Sequence, residues 1–104
     1  MTILDPDLIV RVRLFSKEEG GRGSSLPAKT FGCPFFFEDE GFDCRLLLDQ
    51  VGTTLAPGDT VVVPLKFLLP EYIVPRLKLG DRFKLWDGKD FAEGEVLEVS
   101  RREP

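Results

Sequence analysis

From Leu8 to Leu14 the chain reads LIVRVRL. Leu8, Val10, Val12 and Leu14 fall on one side, Arg11 and Arg13 on the other, with Ile9 and Phe15 at the ends of that second side. Successive side chains of an extended strand point to opposite faces, so this is the pattern of a strand with one face buried. The pattern returns down the chain. Phe42, Cys44, Leu46 and Leu48 alternate with Asp43, Arg45 and Asp49, and Val61, Val63, Leu65, Phe67 and Leu69 form a third set. Phe83 and Leu85 alternate with Arg82 and Lys84, while the side taken by Trp86 stays open. A last strand runs through Val96 and Val99, where Leu97 is out of step and marks a bulge near Gly94. Pro34-Phe35-Phe36-Phe37 is a shorter run of strand formers, with Phe35 and Phe37 on one face and Phe36 on the other.

Turn residues punctuate these runs at Glu19–Gly23, Glu38–Gly41, Ala56–Asp59 and Asp87–Asp90, and Asp87-Gly88 is a hairpin signal. Six strands without a long helical period indicate an all-β fold, an antiparallel sandwich or barrel, and closure removes exposed edges in a short chain. With 104 residues, 42% of them hydrophobic, residues 1–104 read as one domain. Two connections exceed what a hairpin needs: the polar, Gly-rich Ser16–Thr30, and Leu69–Gly80, where Pro70 and Pro75 oppose regular structure.

The chain has no histidine, which removes histidine-based nucleophile pairs, histidine metal sites and a histidine pH switch. No GxxxxGK[ST] string occurs, and Gly21-Arg22-Gly23-Ser24-Ser25 is followed by Leu26 where a GxGxxG loop needs glycine, so no nucleotide is expected. The acids Glu38, Asp39, Glu40 and Asp43 lack the order of a calcium loop and read as a solvated turn. Carboxylate chemistry at Glu38 or Asp43 has no spacing in its favour. A non-enzyme without cofactor or metal is the expectation. Cys33 and Cys44 are too few for a structural zinc site. If Glu38–Gly41 is the hairpin loop, Phe37 faces Phe42 and Phe35 faces Cys44. Cys33 then lies opposite Leu46, diagonal to Cys44, which suits two buried thiols better than a disulfide.

Charge is uneven. Residues 1–37 sum to +1, residues 38–60 to −5 and residues 61–104 to zero, for a net −4. Nucleic-acid domains concentrate cations, and only Arg76, Lys78, Arg82, Lys84 and Lys89 form a loose basic group here. No apolar run approaches the ~20 residues of a membrane helix, and the acidic opening MTILDPD, broken by Pro6, does not resemble a signal peptide. A cytoplasmic protein is expected.

The string Leu14-Phe15-Ser16-Lys17-Glu18-Glu19-Gly20-Gly21-Arg22 resembles the opening strand and loop of the C-terminal domain of elongation factor Tu, where that family reads LSKEEGGR. Thr30-Phe31-Gly32-Cys33-Pro34-Phe35-Phe36-Phe37 aligns with the family's GYRPQFYF, and Pro57-Gly58-Asp59 before Val61 with its PGD. Arg82-Phe83 and the Gly94–Val99 strand are similar to its closing segment. The resemblance spans roughly Leu8 to Val99. It implies a six-stranded antiparallel closed β-barrel that does no chemistry, packs on neighbouring protein domains and touches tRNA. Gly23-Ser24-Ser25-Leu26 replaces the family's HTPF, and Gly32 and Pro34 replace its Arg and Gln.

Together these readings give a non-catalytic barrel that binds a protein partner through the Ser16–Lys29 loop. Lys17, Glu18, Glu19, Gly20, Gly21, Arg22, Lys29 and Phe31 are the candidate contacts. The alternative is tRNA or ribosome binding through the Arg76–Lys89 basic group, which the lost Arg and Gln and the acidic balance weaken.

Overall fold

The computed structural model describes residues 5–52 and 54–100; the first four residues of MTILDPD lie outside them. The described chain forms a closed antiparallel barrel of six strands. They are β1 (Leu8–Leu14), β2 (Thr30–Phe37), β3 (Glu40–Leu47), β4 (Thr60–Phe67), β5 (Arg82–Trp86) and β6 (Asp90–Val99), with a single helical turn, α1 (Leu48–Val51), after β3. Around the barrel the order is β1-β4-β3-β2-β5-β6, and β6 returns to β1. The all-β class and the closed six-stranded barrel match the expectation.

Alternation places the core. Leu8, Val10, Val12 and Leu14 are fully buried, and the same face of the other strands supplies Phe35, Leu46, Val63, Leu65 and Leu85. Phe35 fills the middle, stacked on Phe83 at 4.3 Å between ring centres and edge-on to Phe67 at 4.9 Å. Space for these rings comes from β6, which turns Ala92, Gly94 and Val96 inward. A Cβ on Gly94 would lie 2.7 Å from Phe83 Cε1 and 2.9 Å from the Arg11 carbonyl oxygen, so only glycine fits beneath that ring. The bulge lies where the sequence places it: Val10 pairs with Val96 and Ile9 with Glu98, leaving Leu97 as the extra residue.

Asp7, 4% exposed, ties the start of β1 to two neighbours. Its carboxylate accepts the Phe67 amide at 2.7 Å, its amide donates to the Leu65 carbonyl, and its carbonyl accepts from Ser100. Nothing in the sequence singled it out, because its role depends on strands sixty and more residues away.

Three expectations are corrected. The β2–β3 turn has two residues, Glu38 and Asp39, both with positive φ of 51° and 66°, rather than four. Two consecutive left-handed residues match the strand twist in a tight hairpin. Phe37 therefore pairs with Glu40, Phe35 with Phe42, and Cys33 directly with Cys44. Counting from the hairpin end, Cys33 and Cys44 occupy a hydrogen-bonded pair, the wider of the two antiparallel geometries. Both thiols are free and buried, and hydrogen bonding with Cys33, followed by burial, pushes the Cys44 thiol well above its usual range. The strand expected to run on through Leu48 and Asp49 stops at Leu47, where α1 begins. Likewise β4 stops at Phe67, and Leu69, expected inward, is 53% exposed. The cause is Pro70, which disfavours a continued ladder and opens two short 3₁₀ turns, Pro70–Tyr72 and Val74–Arg76.

Candidate functional site

The Ser16–Lys29 loop is folded onto the barrel. The Ser16 carbonyl accepts the amides of Glu19 and Gly21, and the Lys17 carbonyl accepts that of Gly20. The Glu19 carboxylate accepts two guanidinium hydrogen bonds from Arg13, at 2.8 and 3.0 Å, and the Ser16 amide at 2.9 Å. These bonds, Arg13 first, hold its carboxyl down at about 2. Arg13 also binds Glu93 at 2.8 Å, so β1, the loop and β6 share one ion network. A Cβ on Gly21 would sit 2.9 Å from the Ser16 carbonyl oxygen and as close to the Phe15 backbone, so the turn demands glycine there. Arg22 lies over the rings of Phe31 and Phe91, 5.2 and 5.7 Å from their centres, and pairs with Asp87 in the β5–β6 turn. Paired backbone bonds between Leu26 and Leu55 pin the loop's second half.

Of the eight candidate contacts, Glu19, Gly21, Arg22 and Phe31 thus hold the loop to the barrel, while Lys17, Glu18, Gly20 and Lys29 are exposed. The SKEEGGR string encodes a clasp, with a few solvent-facing side chains on its outside.

A second surface was not legible as a site. The ladder between β3 and β4 runs only from Leu46↔Leu65 to Cys44↔Phe67, followed by the Leu68 amide donating to the Asp43 carbonyl at 3.0 Å. Beyond that point β4 gives way to the Leu68–Leu77 crossover, and a groove of about 510 Å³ opens between it and the near end of β3. Phe42, Leu68, Leu69 and Tyr72 supply its apolar lining. Leu68, Leu69 and Tyr72 are 64%, 53% and 65% exposed, an unusual grouping of large apolar side chains in water. Arg76 closes one end, over the rings of Phe37 and Phe42 and 3.3 Å from both Glu38 and Glu40. Asp43 also lines the groove, with no cation in ion-pair contact among the described residues. The signal that could have pointed here is Leu68-Leu69-Pro70, apolar residues at a place where proline ends the strand.

Three cations of the basic group stand among acids. Arg76 is paired as above, Arg82 lies across from Glu95, and Lys84 lies across from Glu93 with Asp90 at 3.9 Å. A shallow depression of about 430 Å³ beside Arg82 and Lys84 is also lined by Glu38, Asp39, Asp90 and Glu93. Among the described residues no group of three or more Cys, Asp or Glu side chains is placed to hold a metal ion, and no helix is long and apolar enough to cross a membrane. No protein-family model and no curated protein matches the chain.

Proposed function

We propose that this chain is a non-catalytic interaction module, a rigid barrel that docks a protein partner. The observation that carries the reading is the exposed trio Leu68, Leu69 and Tyr72 on the crossover. Burying such side chains is worth about 1.5–3 kcal/mol each, and leaving three together in water is the usual mark of an interface. The barrel interior is packed with side chains, so binding falls to the outside. The resemblance of Leu14–Arg22 to the elongation factor Tu barrel supports the same role, because that domain also works by packing on protein. Charge favours protein over tRNA: acids flank Arg76, Arg82 and Lys84, whereas a phosphate backbone needs cations free of such partners.

The test is photo-crosslinking in cells with a benzophenone amino acid placed at Tyr72 and, separately, at Lys17 in the clasp. Tyr72 is expected to capture a discrete protein, and Leu68→Ser is expected to abolish the adduct. Adducts that vanish on nuclease treatment, or none at either position, would overturn the reading. Capture from Lys17 alone would move the interface to the Ser16–Lys29 loop.

A further inference from the structure

We infer that the groove between β3 and the crossover takes an extended, basic peptide segment of the partner, which adds as a strand to the open edge of β3. This deepens the interaction-module reading and rests on it.

The open edge follows from strand geometry. Along a strand the main-chain N–H and C=O of successive residues point alternately to one neighbour and the other. The Asp43 carbonyl receives the Leu68 amide, so the main chain of Asp43 faces β4. Gly41, two residues earlier, faces the same way, and β4 has already departed: Glu40–Phe42 pair with β2 alone. The N–H and C=O of Gly41 therefore point into the groove, while the ring of Phe36 takes the place a side chain on Gly41 would occupy. An unpaired strand edge is a template for another strand. The apolar lining lies alongside, where alternate side chains of an added strand would fall.

Charge selects the occupant. Glu40 and Asp43 line the groove and Glu38 stands at its Arg76 end, against Arg76 as the single cation of the lining. A second copy of the chain would bring the same acids face to face, and a nucleic acid would bring phosphates, so both are repelled. A Lys- or Arg-bearing segment is attracted. Arg76 already demonstrates the recognition, since its guanidinium rests on Phe37 and Phe42 with Glu38 and Glu40 at 3.3 Å. Arg45 and Lys66 line the adjoining depression, so the acidic collar ends at Asp43.

The experiment selects random displayed peptides against the full chain, then measures affinity of the enriched peptide by fluorescence anisotropy. Enriched sequences are expected to carry net positive charge and alternating apolar residues. Leu68→Ser with Tyr72→Ser, and separately Glu40→Lys with Asp43→Lys, are each expected to weaken binding at least about tenfold. These positions are exposed, so the variants keep the barrel, which circular dichroism checks. N-methylation along the enriched peptide is expected to abolish binding at every second residue, because only alternate amides of an added strand face β3. Methylation effects without that period would overturn strand addition, and enriched acidic peptides would overturn the charge argument. Both would leave the interaction surface standing. Self-association lost in Leu68→Ser with Tyr72→Ser would replace the peptide with a second copy. No enrichment at all overturns the inference, and the Tyr72 crosslink then decides separately whether the interaction reading survives.

Discussion

The same substitution, glycine to alanine, is expected to act in opposite directions at Gly94 and Gly32. At Gly94 the inward space that a Cβ needs is held by the Phe83 ring, with Cε1 2.7 Å away, and by the Arg11 carbonyl oxygen at 2.9 Å. The carbonyl belongs to β1, which pairs with β6 across Val12↔Gly94, so it cannot retreat without opening that ladder. The ring must move instead, and it is stacked on fully buried Phe35. Forcing a methyl into a packed core costs about 1–3 kcal/mol, and weakening the stack costs a further ~0.5–1.5 kcal/mol. Restricting the unfolded chain returns about 0.4–1 kcal/mol. The net is a destabilisation of about 2 kcal/mol, which lowers Tm by roughly 8–16 °C in a domain of this size. Gly32 lies on the outer face of β2, where a Cβ meets only the Cys44 carbonyl oxygen at 3.8 Å. Only the entropy gain remains there, a stabilisation of up to about 1 kcal/mol. Calorimetry and urea unfolding of both variants test the pair. A Gly94→Ala variant within about 0.5 kcal/mol of wild type would refute the claim that glycine makes room for Phe83.

Three other outcomes follow from the clasp and the thiols. Arg22→Ala is expected to cost about 1–2 kcal/mol through two lost ring contacts and the Asp87 pair. Hydrogen exchange should show faster opening of residues 16–29, and Arg22→Lys should not restore protection, because lysine lacks the planar face. The Glu19 carboxyl is held down, chiefly by Arg13, from its usual 4.5 to about 2. A group depressed on folding contributes stability that is complete above its unfolded value and fades as pH falls through its folded one. The stability difference between wild type and Glu19→Gln should therefore shrink between pH 4.5 and about 2; a constant difference across that window would sink the assignment. Cys33 and Cys44 should stay unlabelled by a thiol reagent in the native protein and react together on unfolding, since both are buried and the Cys44 thiol is pushed up. Fast labelling of either would contradict the packing.

The strand faces were legible because alternation is a local property. LIVRVRL announces its buried side before any partner is known, and Leu97 announces the bulge because it breaks a rhythm already set. Registers were less so. The β2–β3 pairing turned on whether Glu38 and Asp39 alone make the turn, and neither is the glycine that usually marks two successive left-handed residues. Moving the loop from four residues to two exchanged a diagonal cysteine pair for a direct one. Strand ends failed for a related reason: Leu48 and Leu69 continue the apolar period, but α1 and Pro70 end the ladder before them.

The candidate surfaces show the same division between local and distant information. SKEEGGR drew attention as a polar loop, and its charged residues were read as available to a partner. Half of the candidates proved to be engaged: Arg22 and Phe31 by distant residues, Phe91 on β6 and Asp87 in the turn before it, and Glu19 and Gly21 by Arg13 and the Phe15–Ser16 backbone close by. A charged side chain in a sequence carries no mark of whether the fold will spend it internally. The crossover groove is the converse case. Leu68, Leu69 and Tyr72 look like core residues by type, and only the early departure of β4 from β3 leaves them outside. That departure also exposes the main chain of Gly41 beside them. An apolar lining, an acidic collar and an open edge arise at one place because β4 stops opposite Cys44 while β3 goes on pairing with β2 as far as Glu40.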